Sequence, residues 1–200
     1  MSEPLNVYLF GHSFVKRLDR MARQEHQSVE ELLGLAAEIR LTVEGHPGLS
    51  YDRLFNHVDY YCQKMRLLNS IDVLVLDIGT NDLCLPEITP EVLVGKSFEF
   101  LDLLESRGIS PRKVVFLSII QRSKITRSGQ VAVTTFNHRT RRFNSLFSRR
   151  LRSERQNVYL FTQKRVNYPK YLSDGCHLNI DGMNKYCKGL RAAIVRHGFH

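Results

Sequence analysis

A chain of 200 residues and 23.2 kDa can bury one substantial core but is too short for two ordinary domains, so a single domain over residues 1–200 is expected. Its 42% hydrophobic and 24% charged residues exclude a disordered tail, a collagen-like repeat and a coiled-coil rod. The net charge of +9 is unevenly spread: residues 107–170 hold 16 Lys and Arg against the single acid Glu154, while the rest holds 13 against 19. Such a basic third suits a phosphate-rich partner such as nucleic acid, or serves as a solvated helix face.

No apolar run approaches the roughly 20 residues that span a bilayer, so no membrane span is expected. The stretch Met1 to Leu5 is acidic at Glu3, lacks a basic segment and leads straight into an apolar run. It does not read as a signal peptide, and a cytoplasmic location is expected. Cys62, Cys84, Cys176 and Cys187 form no C-x-x-C pair and read as free thiols in a reducing compartment.

In chain order, a first strand is predicted over Leu5 to Phe10 and helix over Phe14 to Leu35, either continuous or broken by a fresh capping box at Ser28 and Glu31. A strand at Ile39 to Val43 and a helix at Ser50 to Leu68 follow. Next come a strand at Ile71 to Ile78, a helix at Pro90 to Ser106 started by Thr89 and stopped by Gly108, and a strand at Lys113 to Ile120. The segment Ser123 to Val133 is expected to be a mobile insertion. A helix from Thr134 to Glu154 precedes a strand at Asn157 to Phe161 and a last helix from about Asp181 to His197. Phe136, Phe143, Leu146 and Phe147 are spaced to face the core. Alternating apolar strands and helices predict a parallel sheet covered on both faces, a three-layer α/β/α sandwich. Ligands of such sheets bind where the strands end, so chemistry is sought in the loops that follow them.

Those loops carry four unusual blocks: Gly11-His12-Ser13, Gly45-His46-Pro47-Gly48, Gly79-Thr80-Asn81-Asp82 and Asp174-Gly175-Cys176-His177. Ser13 stands where a strand turns into a helix N-terminus, which favours developing negative charge. His177 can take the proton of its hydroxyl, and Asp174, three residues earlier, can orient the imidazole. Backbone N–H groups of Ser13 and Gly48 and the side-chain amide of Asn81 can converge on an oxyanion. Arg122, after the fourth strand, and His12, beside the serine, are candidate substrate-binding residues. His46 and His57 lack a third ligand at metal spacing, so no metal or other cofactor is expected.

The four blocks, in this order and spacing, resemble those of the SGNH (GDSL-type) serine hydrolases over residues 7 to 187. The resemblance implies a flavodoxin-like five-stranded parallel sheet in the order 2-1-3-4-5. It implies the serine at Ser13, the glycine at Gly48, the asparagine of G-x-N-D at Asn81 and the D-x-x-H pair at Asp174 and His177. The chain departs from the family at His12, where an aspartate is usual. Its basic character is similar to that of the esterase domains of some animal retroelement proteins. The expected function is hydrolysis of small acyl esters, acetyl-like, through an acyl-enzyme. The alternative is a weak or inactive module of the same fold that binds nucleic acid or another polyanion through residues 107–170.

Overall fold

The computed structural model describes residues 3–68, 70–125, 130–163, 166 and 169–199. Five strands, β1 (Leu5–Gly11), β2 (Ile39–Gly45), β3 (Val73–Asp77), β4 (Lys113–Leu117) and β5 (Val158–Phe161), form an all-parallel sheet in the order β2-β1-β3-β4-β5. Seven helices cover it: α1 (Ser13–Gln24), α2 (Val29–Leu33), α3 (Tyr51–Asn56), α4 (Val58–Arg66), α5 (Pro90–Ser106), α6 (Val133–Glu154) and α7 (Ile180–Gly198). Short 3-10 turns occupy Asp82–Cys84 and Pro169–Tyr171.

Side chains alternate across each strand and divide the core in two. Tyr8, Phe10, Leu74, Leu76, Val114 and Phe116 pack with α3 to α6. Val7, Leu9, Val73, Val75, Val115 and Leu117 pack with α1, α2 and α7 on the other face. The predicted three-layer α/β/α sandwich is therefore the observed one. Because the chain winds outward in opposite directions from β1 and β3, the loops after these strands part to opposite faces and open a crevice between them.

Several boundaries moved for local reasons. The predicted helix from Phe14 to Leu35 breaks after Gln24, and Ser28 starts α2 afresh. Its hydroxyl accepts from Glu31 N at 3.1 Å while Glu31 Oε2 accepts from Ser28 N at 2.7 Å. The helix expected over Ser50 to Leu68 splits at His57, whose φ of −124° leaves the helical region. The fourth strand stops at Leu117 rather than Ile120, because the backbone of Ile119 is taken by the side-chain amide of Asn144 on α6, at 3.1 and 2.9 Å. Positions 126–129, within the segment expected to be a mobile insertion, lie outside the described residues.

The apolar face of α6 supplies three buried rings, Phe136, Phe143 and Phe147, to the core shared by α3 to α6. Phe147 is fully buried, with ring centroids 4.8 Å from Phe116, 5.2 Å from Phe143 and 5.9 Å from Phe98. Phe147→Ala empties that space and is expected to cost about 3–5 kcal/mol in urea denaturation. A loss under about 1 kcal/mol would mean that the surrounding rings collapse into the gap.

Candidate active site

The sheet ladder runs on past the strand ends and sets the loops side by side. His46 N donates to Gly11 O at 2.8 Å, and His12 N donates to Asp77 O at 3.0 Å. Block two therefore lies against block one, and block one against block three. Gly11 is required by this crowding: a Cβ there would lie 2.6 Å from Asp77 O and 2.9 Å from Val15 Cγ2. Ser13, half-buried, is the first residue of α1. Its N–H is one of the four at a helix start that have no acceptor within the helix.

The second loop is a tight turn from His46 to Leu49, closed by Leu49 N to His46 O at 3.1 Å. Pro47 fits its second position, and Gly48 supplies the positive φ, +73°, that its third position demands. The third loop ties itself to this turn twice. Asn81 Nδ2 donates to Leu49 O at 2.8 Å, and Asp82 Oδ1 accepts from Tyr51 N at 2.9 Å. A carboxamide has two N–H donors, and the bond to Leu49 uses one of them.

Asp82 is 1% exposed, and among the described residues its Oδ2 has no hydrogen-bond partner. Burial, only partly offset by the backbone N–H groups, pushes its carboxyl from 3.8 up to about 6. A raised carboxyl binds its proton more tightly in the folded chain than in the unfolded one. Stability is therefore lost as pH rises from the ordinary value towards 6 and is flat above it. Asp82→Asn is expected to flatten that fall in denaturant midpoints taken across the interval. An unchanged slope in the variant would assign the pH effect elsewhere.

The fourth block folds as a turn around one carboxylate. Asp174 Oδ1 accepts from the N–H groups of Cys176 and His177 at 2.9 and 2.7 Å, and Oδ2 lies 2.7 Å from His177 Nδ1. Burial alone would raise this carboxyl. The imidazole and the two backbone donors outweigh it and hold it well below the usual carboxylate range. Asp174 is thus a fixed anion that orients the His177 ring and leaves Nε2 pointing away from it. Two contacts anchor this turn beside α1. Arg17 Nη1 donates to Leu178 O at 3.4 Å, and Phe14 packs on Tyr186 of α7 at 5.9 Å between centroids.

The two expected substrate contacts are engaged by the fold. His12 does not face outward: it is 1% exposed, its Nε2 lies 3.1 Å from Asp77 Oδ1, and its Nδ1 caps α1 by accepting from Phe14 N at 3.4 Å. Burial beneath Ser13 therefore corrects its assignment as a substrate-binding side chain. The Arg122 guanidinium lies 4.9 Å over the Phe136 ring and donates to Cys84 Sγ at 2.9 Å. Asn137 pins the Arg122 backbone by a pair of amide hydrogen bonds at 2.9 and 2.8 Å, as Asn144 pins Ile119. Sequence reading missed both asparagines and Asp77. Their seven-residue spacing on one helix and a polar end to an otherwise apolar strand were the available signals.

No family model matches this chain, and no curated protein matches it. Solved structures do. A carbohydrate acetylesterase family member from Sinorhizobium meliloti superposes with a TM-score of 0.70 at 15% identity, covering 96% of this chain and 98% of its own. The native aryl esterase of M. smegmatis gives 0.68 at 16%, covering 98% and 100%. A carbohydrate esterase family 3 protein from Talaromyces cellulolyticus gives 0.66 at 16%, covering 96% and 97%. At such identities the likeness shows the fold, a three-layer α/β/α architecture.

Proposed function

We propose that the chain is a serine esterase that hydrolyses small acyl esters. The observation that carries this reading is the His177–Asp174 pair at 2.7 Å, on the same sheet edge as a serine at a helix N-terminus. Ser13 Oγ attacks the ester carbonyl while His177 Nε2 takes its proton. The oxyanion accepts from the N–H groups of Ser13 and Gly48 and from the second N–H of Asn81. The alcohol leaves with the proton from His177, which then draws a proton from water so that the acyl group is released. The name of one structural neighbour, a carbohydrate acetylesterase, supports an acetyl-sized acyl group. A fluorophosphonate probe should label the protein at Ser13, and Ser13→Ala should lose the label. Labelling that persists in the variant would move the nucleophile elsewhere.

A second reading, compatible with the first, is favoured by a groove of about 760 Å³ along the free edge of β5 between α6 and α7. Arg152, Lys185, Lys188, Arg196 and His197 line it, and among the described residues no acidic one does. Burial and the cations of Arg196 and Lys113 hold His197 below its ordinary value, as expected in a field without carboxylates. Elsewhere on α6, Arg142 pairs with Glu91 and Arg150 with Glu154. The basic surface thus lies partly outside residues 107–170, and it suits a phosphodiester chain. Oligonucleotide affinity should fall with log salt by about 0.7 for each cation engaged. Lys188→Glu with Arg196→Glu should weaken it tenfold or more, while ester turnover stays unchanged. Binding that ignores salt would end this reading.

A further inference from the structure

Besides the Asp174–His177 pair, the chain holds a second histidine–aspartate pair, and this one touches the serine. His12 Nδ1 lies 3.5 Å from Ser13 Oγ. Across the ring, Nε2 lies 3.1 Å from Asp77 Oδ1, and Asp77 Oδ2 accepts from the Tyr186 hydroxyl at 2.8 Å. Tyr186 remains a donor, because burial and then the nearby Asp77 carboxylate raise its hydroxyl far above the ordinary value. With Asp77 thus an acceptor, the imidazole proton sits on Nε2, and the single lone pair of Nδ1 is shared between Phe14 N at 3.4 Å and Ser13 Oγ at 3.5 Å, so taking the serine proton gives up the cap on Phe14. A separation of 3.5 Å is long for a hydrogen bond, as catalytic contacts in unliganded sites commonly are.

We propose that His12, held by Asp77 and Tyr186, is a second proton acceptor for Ser13 and serves the acylation half of the cycle alone. The proposal rests on the esterase reading of Ser13. The Ser13 O–H bond breaks with its proton passing to His12 Nδ1, and the Oγ–carbonyl bond forms. With an aryl ester, the bond to the leaving oxygen then breaks with its electron pair. The imidazolium is balanced by Asp77 and gives its proton to the departing oxygen. Deacylation is different, because it needs a base that reaches water. His12 is 1% exposed, whereas the His177 side chain is 32% exposed. The two histidines therefore divide the reaction: either starts it, and only His177 finishes it.

Rapid mixing of His177→Ala with p-nitrophenyl acetate tests this. The expected result is one equivalent of nitrophenolate per chain, then arrest, with a single acetyl group on Ser13 by mass spectrometry. In the same background, Asp77→Asn keeps the shape but donates to Nε2, which drives the proton onto Nδ1 and removes the acceptor. The burst should slow by about 100-fold or more. Tyr186→Phe, which removes only the hydroxyl donor to Asp77, should slow it by about tenfold, and it serves if Asp77→Asn fails to fold by circular dichroism. Equal acylation rates in folded His177→Ala with and without these changes would overturn the role of His12. Multiple turnover by His177→Ala would overturn the division of labour. If the wild-type protein itself neither turns over nor acquires an acetyl group, the esterase reading falls first, and this inference with it.

Discussion

Ser13→Ala is expected to lower kcat for p-nitrophenyl acetate on the order of 10⁶-fold while the protein keeps its fold. The loss is large because every later step acts on the acyl–Oγ bond that this hydroxyl makes. What survives is the oxyanion donors, which stabilise attack by water only weakly. The fold is spared for a local reason. The N-cap of α1 is His12, whose ring accepts from Phe14 N, so Ser13 itself does not cap the helix. Alanine is also the best helix former. Thermal melts of the variant should stay within a few degrees of wild type, about 1 kcal/mol for a chain of this size. Turnover unchanged in Ser13→Ala would place the chemistry at another group.

The second large effect is expected at Asp174. Asp174→Asn keeps an oxygen for the N–H groups of Cys176 and His177, so the turn can persist. What changes is the other atom, the one 2.7 Å from His177 Nδ1. An amide there donates where the carboxylate accepted, which forces the imidazole proton onto Nε2, the nitrogen that must take the proton of water in deacylation. A fall in kcat of about 10⁴-fold is expected in steady-state assays. Wild-type Asp174 stays ionised at pH values where an ordinary carboxylate would be protonated, because its partners hold it well below the usual range. Its contribution to stability is therefore present above the ordinary value of 3.8 and is lost only as pH falls towards the depressed one. An Asp174→Asn enzyme with near-normal turnover would remove His177 from the role of base.

Local pattern was enough to read some parts of this molecule. Strand and helix alternation needs only the period of apolar residues along the chain, and it led to the observed three layers. The D-x-x-H turn is equally local, since Asp174 and His177 are three residues apart and one carboxylate closes the turn. The capping box at Ser28 and the proline start of α5 likewise involve neighbours only. The helix predicted over Ser50 to Leu68 failed at His57, where no glycine or proline signals the break.

The chain by itself thus determined its layers, its turn chemistry and which four loops carry the Gly-, Ser-, Asn-, Asp- and His-bearing blocks. Tertiary structure alone decided the direction of His12. Read in isolation it is a histidine beside a serine, open to solvent. Docking α1 against the sheet and α7 over the end of β3 turns it inward onto Asp77, which in turn meets Tyr186 from 109 residues further along. The cationic groove along β5 was equally invisible, since its walls come from α6 and α7 and become neighbours only when both helices close over the sheet edge. Such pairings depend on which helix packs on which face. That choice is made by the summed burial of the two cores, to which no short stretch of sequence is equivalent.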